Sequence, residues 1–156
     1  MTDLYELPGH LIRRLHQISV SVFAARMADG GFDLTPVQFA ALAVIAERPG
    51  IDQATLAGLI AYDRVTIGGV VDRLEAKGLL RRAVSKQDRR ARVLDLTGEG
   101  EALLGRIMPA VREAQEATLA GLTATERHTF MRLLRKATEA GNSLSRAPLR
   151  DQRAVN

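Results

Sequence analysis

Apolar residues recur at spacings of three and four over residues 4–29 (Leu4, Leu7, Leu11, Leu15, Ile18, Val22), which puts them on one face of a long helix. Pro8 suits its first turn, and Gly30-Gly31 ends it. Thr35-Pro36-Val37-Gln38 reads as a capping box with proline at the first helical position. The helix it opens, over 35–48, carries Val37, Ala40, Ala41, Val44 and Ile45 and stops near Pro49-Gly50. Asp52 caps a short helix, DQATLAGLI, with Leu56 and Leu59 inward, and Asp63 caps another, DRVTIGGVVDRLEAK, ended by Gly78.

At Leu79 the period changes. Residues 79–84 and 91–96 read as two short strands around the polar tip SKQDRR, which makes a hairpin. Helical spacing returns after Thr97 with Leu103, Leu104, Ile107, Met108, Val111, Ala114 and Leu119, and Pro109 inside this run is expected to kink or interrupt it. Thr123-Ala124-Thr125-Glu126 is a second capping box, ahead of a last helix with Phe130, Leu133, Leu134 and Ala137. Beyond Gly141 the chain turns polar and irregular, so residues 142–156 read as a flexible tail.

Composition narrows the class. With 46% hydrophobic and 26% charged residues, the 156-residue chain is globular rather than disordered. It has no cysteine, which removes disulfides, thiolate metal sites and thiol-based sensing. No apolar run approaches the ~18 residues of a membrane span, and the polar start MTDLYELPGH is no signal peptide, so a cytoplasmic protein with no membrane partner is expected.

Charge is informative once mapped. The net charge is +4, and residues 62–97 account for all of it, with nine basic groups against five acidic. Within 81–92 the balance is six to one. A cationic excess packed into one short segment suits a phosphate-facing surface. Helices at 35–48, 52–60 and 63–77 followed by a hairpin give the order of a winged helix-turn-helix, whose last helix enters the major groove while the wing reaches the backbone or minor groove. The fold class is therefore mainly α with a small β-hairpin wing, the winged helix-turn-helix occupying 35–97 and binding double-stranded DNA. Arg64 at the start of the recognition helix can pair with guanine, and Thr66 can touch a thymine methyl or a phosphate. Gln53 and Thr55 are candidate phosphate contacts, as is Arg73, which could instead pair with Asp72 or Glu75. Lys86, Arg89 and Arg90 supply flexible cations at the wing tip. Arg81 and Arg82 are consecutive on a strand and point to opposite faces, so at most one faces DNA.

The stretch DRRARVLDLT, Asp88 to Thr97, matches the D-x-R-x-x-x-x-x-L-T wing signature of the multiple antibiotic resistance regulator (MarR) family, and DRVTIGGVVDRLEAKGLLRR resembles that family's recognition helix and wing entry. The resemblance covers roughly residues 8–140. It implies a homodimeric winged-helix transcriptional regulator, in most members a repressor released from its operator by a small ligand. It assigns Arg90 to the minor groove, Asp88 to orienting the wing, and Leu96 and Thr97 to the scaffold. Gly68-Gly69 departs from the usual pattern. Each glycine costs about 1 kcal/mol relative to alanine in a helix. The pair serves either close approach to the groove or packing against the helix at 35–48.

The helices at 1–34 and 98–141 lie outside the winged core and carry apolar stripes with no further partner in the chain, which points to a dimerisation bundle and a pseudo-palindromic operator. The segment PGHLIRRLHQIS resembles family members that sense aromatic carboxylates. That resemblance implies a small aromatic or phenolic acid as ligand, with Arg13 as carboxylate partner and His10, Arg14 and Ser19 around it; salt bridges on a surface or between subunits are the other reading. No catalytic group or cofactor is expected, since there is no Gly-rich phosphate loop. His10, His16 and His128 lack metal-ligand spacing, although a regulator without a small-molecule switch, or a metal-responsive one, stays open as an alternative. RNA binding is disfavoured by the 4% aromatic content, which gives few stacking platforms.

Overall fold

The structure, a computed structural model, describes residues 3–150. A 3-10 turn (Leu4–Glu6) leads into α1 (Pro8–Asp29), followed by α2 (Pro36–Glu47), β1 (Ile51–Asp52), α3 (Gln53–Leu59), α4 (Arg64–Ala76), β2 (Leu80–Val84), β3 (Arg92–Leu96), α5 (Gly98–Thr118), α6 (Ala124–Ala140) and a second 3-10 turn (Asn142–Leu144). The chain parts into two compact units. One takes the chain up to Pro36 together with Ile107–Thr129; the other takes Val37–Arg106 and the chain from Phe130 onward.

In the second unit, α3 and α4 begin on the same device. The carboxylates of Asp52 and Asp63 each accept the amide of the threonine three residues on, at 2.9 Å, and its hydroxyl as well. These side chains satisfy amides that a helix start leaves without partners. The two helices meet at 111°, a helix-turn-helix bend. Ala61 closes α3 in the left-handed region, at φ 54°, where glycine is the usual residue. Its place is set by the Tyr62 amide bonding back to the Ala57 carbonyl at 3.0 Å. α4 ends on Gly78 at φ 71°, with the Gly78 amide on Glu75 O and the Leu79 amide on Leu74 O, the two bonds of a Schellman cap.

The wing is more than a hairpin. β2 and β3 pair antiparallel, Leu80 opposite Leu96 and Val84 opposite Arg92, and β1 adds a third strand with Ile51 opposite Leu94. A two-residue strand is too short to show alternation in a sequence. One face of this sheet buries Leu80, Leu94 and Leu96; Leu42, Ile45, Leu56, Ile67, Val71 and Leu74 supply the helical part of the unit's core.

Three contacts tie this unit together around the wing. The Thr97 hydroxyl donates to Gly78 O at 2.6 Å and accepts the Gly100 amide at 3.1 Å, which joins the end of α4 to the start of α5. Gly100 lies so close to Leu79 that a Cβ would collide with its carbonyl oxygen. Arg82 on β2 reaches back to α4: Nε and Nη2 donate to Glu75 Oε2 at 2.9 and 2.6 Å, and Nη1 meets Asp72 Oδ1 at 2.8 Å. The Arg82 amide also donates to Glu75 Oε1, at 3.2 Å.

The first unit buries Phe23, Met27, Leu34, Ile107, Val111 and Ala114. Arg26 on α1 pairs with Asp29 at 3.7 Å and with Glu113 at 3.9 Å. The Thr123–Glu126 capping box forms as the sequence predicts, the Thr123 amide donating to Glu126 Oε2 at 2.8 Å and the Glu126 amide to Thr123 Oγ1 at 3.3 Å.

Three expectations need correction. Of the two outcomes expected at Pro109, interruption does not occur: α5 is continuous through it, the ring removing only the bond to residue 105, a glycine, while the flanking turns carry the helix on. The first turns of α5 belong with the winged unit, because Thr97 and Gly100 fix them to Gly78 and Leu79. The chain after Gly141 is not a loose tail through its described length. The Asn142 side chain accepts the Leu149 amide at 2.8 Å and donates to the Leu149 carbonyl at 3.0 Å, and the Arg150 amide donates to Gly58 O at 2.8 Å. Residues 151–156 of the predicted tail lie outside the described residues.

The hydrogen bonds from the Arg82 guanidinium hold the Glu75 carboxyl below its ordinary value of 4.5. A carboxyl lowered by folding adds stability that is complete above its unfolded value and is lost as pH falls through its folded value. Glu75→Gln is therefore expected to melt below wild type at pH 7, and the gap in Tm to close on acidification beneath pH 4.5. Thermal melts across that range check it; a gap independent of pH would contradict the clamp.

Candidate nucleic-acid interface

α4 buries Ile67, Val70, Val71 and Leu74, which turns Val65, Gly68, Gly69 and Asp72 outward along one stripe. Val65 is 87% exposed, an apolar side chain left bare on the first turn. The sequence gives no sign of this, because a helical period makes any valine a core candidate. Arg64 and Arg73 are exposed on either side of the stripe. Asp72 and Glu75, the carboxylates that Arg73 could have used, are both bound to Arg82. Arg82 is accordingly the half-buried strand arginine, and Arg81 the exposed one.

The glycine pair does not serve packing against α2. A Cβ on Gly68 would meet only Gln53 Nε2 at 3.6 Å, and one on Gly69 only Arg73 Nη1 at 4.0 Å. Both are ordinary or open spacings, so alanine would fit and the missing side chains lower the outward surface of the helix.

The predicted contacts on α3 and α4 come together, with one chemical revision. Asp52, Gln53, Ala54, Arg64, Arg90, Ala91 and Arg92 line a single open cleft between the starts of the two helices and the root of the wing tip. Three arginines therefore line one cleft with Gln53. Arg92 is an addition to the predicted residues, since a strand-end arginine looks the same in sequence whichever way it faces. The hydroxyl protons of Thr55 and Thr66, by contrast, are committed to Asp52 and Asp63. Neither threonine is free to donate to a phosphate through its hydroxyl; what each presents is a methyl group and a helix start. The same bonds set the cap carboxylates. Burial pushes Asp52 up, but the Thr55 hydroxyl and amide and the Ala54 amide together hold it below the usual range. The Thr66 amide, then its hydroxyl, and more weakly Arg146, do so for Asp63.

The wing tip is held by its own polar side chains. Ser85 Oγ accepts the amides of Gln87 and Asp88, both at 3.2 Å, and Asp88 Oδ1 accepts the Arg90 amide at 2.9 Å. The Ala91 amide closes on Asp88 O at 3.0 Å. Asp88 is thus occupied with backbone, while Lys86, Arg89 and Arg90 project exposed from the turn. Among the described residues none of these three cations forms an ion pair.

On α1 the predicted ligand residues divide. His10 is half-buried, its ring edge-on to Tyr5 at 5.6 Å, and its Nε2 is shielded with no hydrogen-bond partner among the described residues. Arg13 is exposed and donates from Nη1 to Gln17 Oε1 at 2.8 Å. Arg14 is exposed beside it. Because α1 is continuous from Pro8, Ser19 falls about 180° around the helix from His10 at 100° per residue. Ser19 therefore does not share the His10–Arg13 face of one protomer, whereas Gln17, which carries no signal in the sequence, does.

Comparison with known proteins agrees with this geometry. A model described as the MarR family matches residues 32–91. The HTH-type transcriptional repressor NicR of Pseudomonas putida is 34% identical over 138 residues, which is 88% of this chain and 86% of NicR. Among solved structures, the PcaV transcriptional regulator of Streptomyces coelicolor in complex with its natural ligand superposes with a TM-score of 0.82 at 34% identity, over 90% of this chain and 98% of that one. Bordetella bronchiseptica BpsR, whose DNA binding is regulated by 6-hydroxynicotinic acid, gives 0.83 at 31% identity, over 88% and 97%. A chain that aligns with NicR over most of its length, and that carries an outward recognition helix beside an exposed cationic wing, belongs to the MarR family of DNA-binding transcriptional regulators.

Proposed function

We propose that this regulator is a homodimeric repressor acting in the cytoplasm on a pseudo-palindromic operator, and that a small aromatic or phenolic acid releases it. The observation that carries the DNA half is the convergence of Gln53, Arg64, Arg90 and Arg92 on one cleft. Arg64 reads a base edge in the major groove, where its fork matches guanine, and the bare Val65 packs on a thymine methyl. Arg90 enters the minor groove. Lys86, Arg89 and Arg73 neutralise phosphates, and the Gln53 side-chain amide, beside the Thr55 methyl at the start of α3, fixes the backbone. Thr66 offers its methyl to the groove. Asp88 contributes by shaping the tip that aims Arg90.

Dimerisation is supported by the apolar surface the protomer leaves uncovered: Leu11 and Ile18 on α1 and Leu133 and Leu134 on α6 are all exposed. Faces of this kind are buried in symmetric assemblies. A two-fold dimer places the recognition helices about 34–36 Å apart, one turn of the duplex.

The ligand half rests on His10. A shielded ring nitrogen without a partner costs free energy unless another group completes it. One turn along the same face, the Arg13 guanidinium offers a fork for a carboxylate. An aromatic acid with a ring hydroxyl carries both complements, as does the 6-hydroxynicotinic acid that regulates BpsR. Release then follows from a population shift: the acid must bind the conformation whose helix spacing misfits the operator more tightly than the one that fits.

Gly68→Ala and Gly69→Ala are each expected to stabilise the fold by about 1 kcal/mol, since neither site is crowded. At least one is expected to weaken binding to the DNA beside the protein's own gene; equal affinity in both would remove close approach as the reason for the pair. Calorimetric titration with 6-hydroxynicotinate, benzoates and hydroxycinnamates is expected to find at least one ligand. Arg13→Ala should lower its affinity tenfold or more, while Ser19→Ala leaves it unchanged. Silence from the whole panel, or intact binding by Arg13→Ala, would refute the assignment.

A further inference from the structure

The described end of the chain returns to the helix-turn-helix, and nothing in the family signature calls for it there. Residues 142–150, NSLSRAPLR, contain two arginines and no acid. The Asn142 side chain clasps both the amide and the carbonyl of Leu149, which bends the segment into a closed loop. The Arg150 amide then pins the loop to the Gly58 carbonyl of α3. Gly58 is what admits it: a Cβ there would stand 3.1 Å from Arg150 Cβ and 3.4 Å from its Cδ. The segment and the helix-turn-helix together line one cleft, in which Tyr62, Asp63 and Arg64 face Arg146 and Arg150.

We infer that this segment is a second cationic arm of the DNA interface, with Arg146 and Arg150 taking phosphates that flank the start of the recognition helix. Both side chains are exposed, and neither forms an ion pair among the described residues. Arg64 belongs to two clefts: it lines the wing cleft with Arg90 and Arg92, and the tail cleft with Arg146 and Arg150. The recognition helix start is thereby shared by two clefts that each hold further arginines. The arm also resolves a local conflict. The Asp63 cap places a carboxylate at the helix end nearest the phosphates, and Arg146 stands close enough to help hold that carboxyl ionised and to offset its charge. The inference rests on the DNA-binding reading of α4 and the wing, and it adds a contact that sequence-tolerant phosphate binding would use.

The test is fluorescence anisotropy with two labelled duplexes, one of mixed sequence and one from beside the protein's own gene, across a salt series. The proteins compared are wild type, Arg146→Gln/Arg150→Gln and Asn142→Ala. The double variant is expected to bind both duplexes roughly tenfold or more weakly at physiological salt. Its slope of log affinity against log salt should be shallower by about 0.9 for each phosphate no longer neutralised, so about 3.6 for two phosphates per protomer of a dimer. Asn142→Ala keeps both arginines but opens the clasp, and should show a smaller loss of affinity in the same direction. Unchanged affinity and slope in the double variant would overturn the proposal. Tighter binding would overturn it too, and would make the segment a cover over the interface. Wild type that binds neither duplex would instead refute the DNA-binding reading on which the arm depends.

Discussion

The guanidinium of Arg82, gripped by Asp72 and Glu75, is the contact on which the DNA-binding lobe depends. A wing is two strands and a tip with a small apolar face, and a sheet of that size has little stability of its own. Here β2 is fixed to α4 by a fork of charge-assisted hydrogen bonds, while Thr97 and Gly100 fix the other end of the hairpin to Gly78 and Leu79. The wing and the recognition helix are thereby presented to DNA as one piece. The clamp also removes Asp72 and Glu75 from competition for the neighbouring cations and leaves Arg73 available. A cluster of positive charge becomes a surface of defined shape.

That arrangement explains how a chain of only +4 can serve a polyanion. Positive groups face outward around one helix start, and five of the neighbouring acidic groups are engaged: Asp52 and Asp63 with threonine caps, Asp88 with the Arg90 amide, Asp72 and Glu75 with Arg82. Specificity and affinity then divide between different residues. On the proposed reading, Arg64 and Val65 face base edges, while the tip cations and Arg146 and Arg150 face phosphates.

Much of this was legible in the sequence, for physical reasons that also mark its limits. Long helices announce themselves by a spacing of three and four, caps by Asp or Thr three residues ahead of a matching partner, and the hairpin by a change of period. The features that stayed hidden all depend on contacts between distant residues. Ile51–Asp52 is a strand only because β3 lies beside it. Ala61 adopts a positive φ because the turn demands it, without the glycine that would have flagged it. Gly100 is explained by Leu79, and the tail by Gly58, each of which is remote in the chain. For the site, the residue types were readable but their free atoms were not: the Thr55 and Thr66 hydroxyls are engaged by their own caps, and Ser19 lies on the far side of α1.

The most direct test of the clamp as the basis of DNA recognition is the affinity of Glu75→Gln for the DNA beside the protein's own gene, at neutral pH and fixed salt. Removing a carboxylate from a DNA-facing lobe would by charge alone strengthen binding. If the wing and α4 act as one piece, the variant should instead bind tenfold or more weakly while remaining folded. Equal or tighter binding would contradict the role given to Arg82.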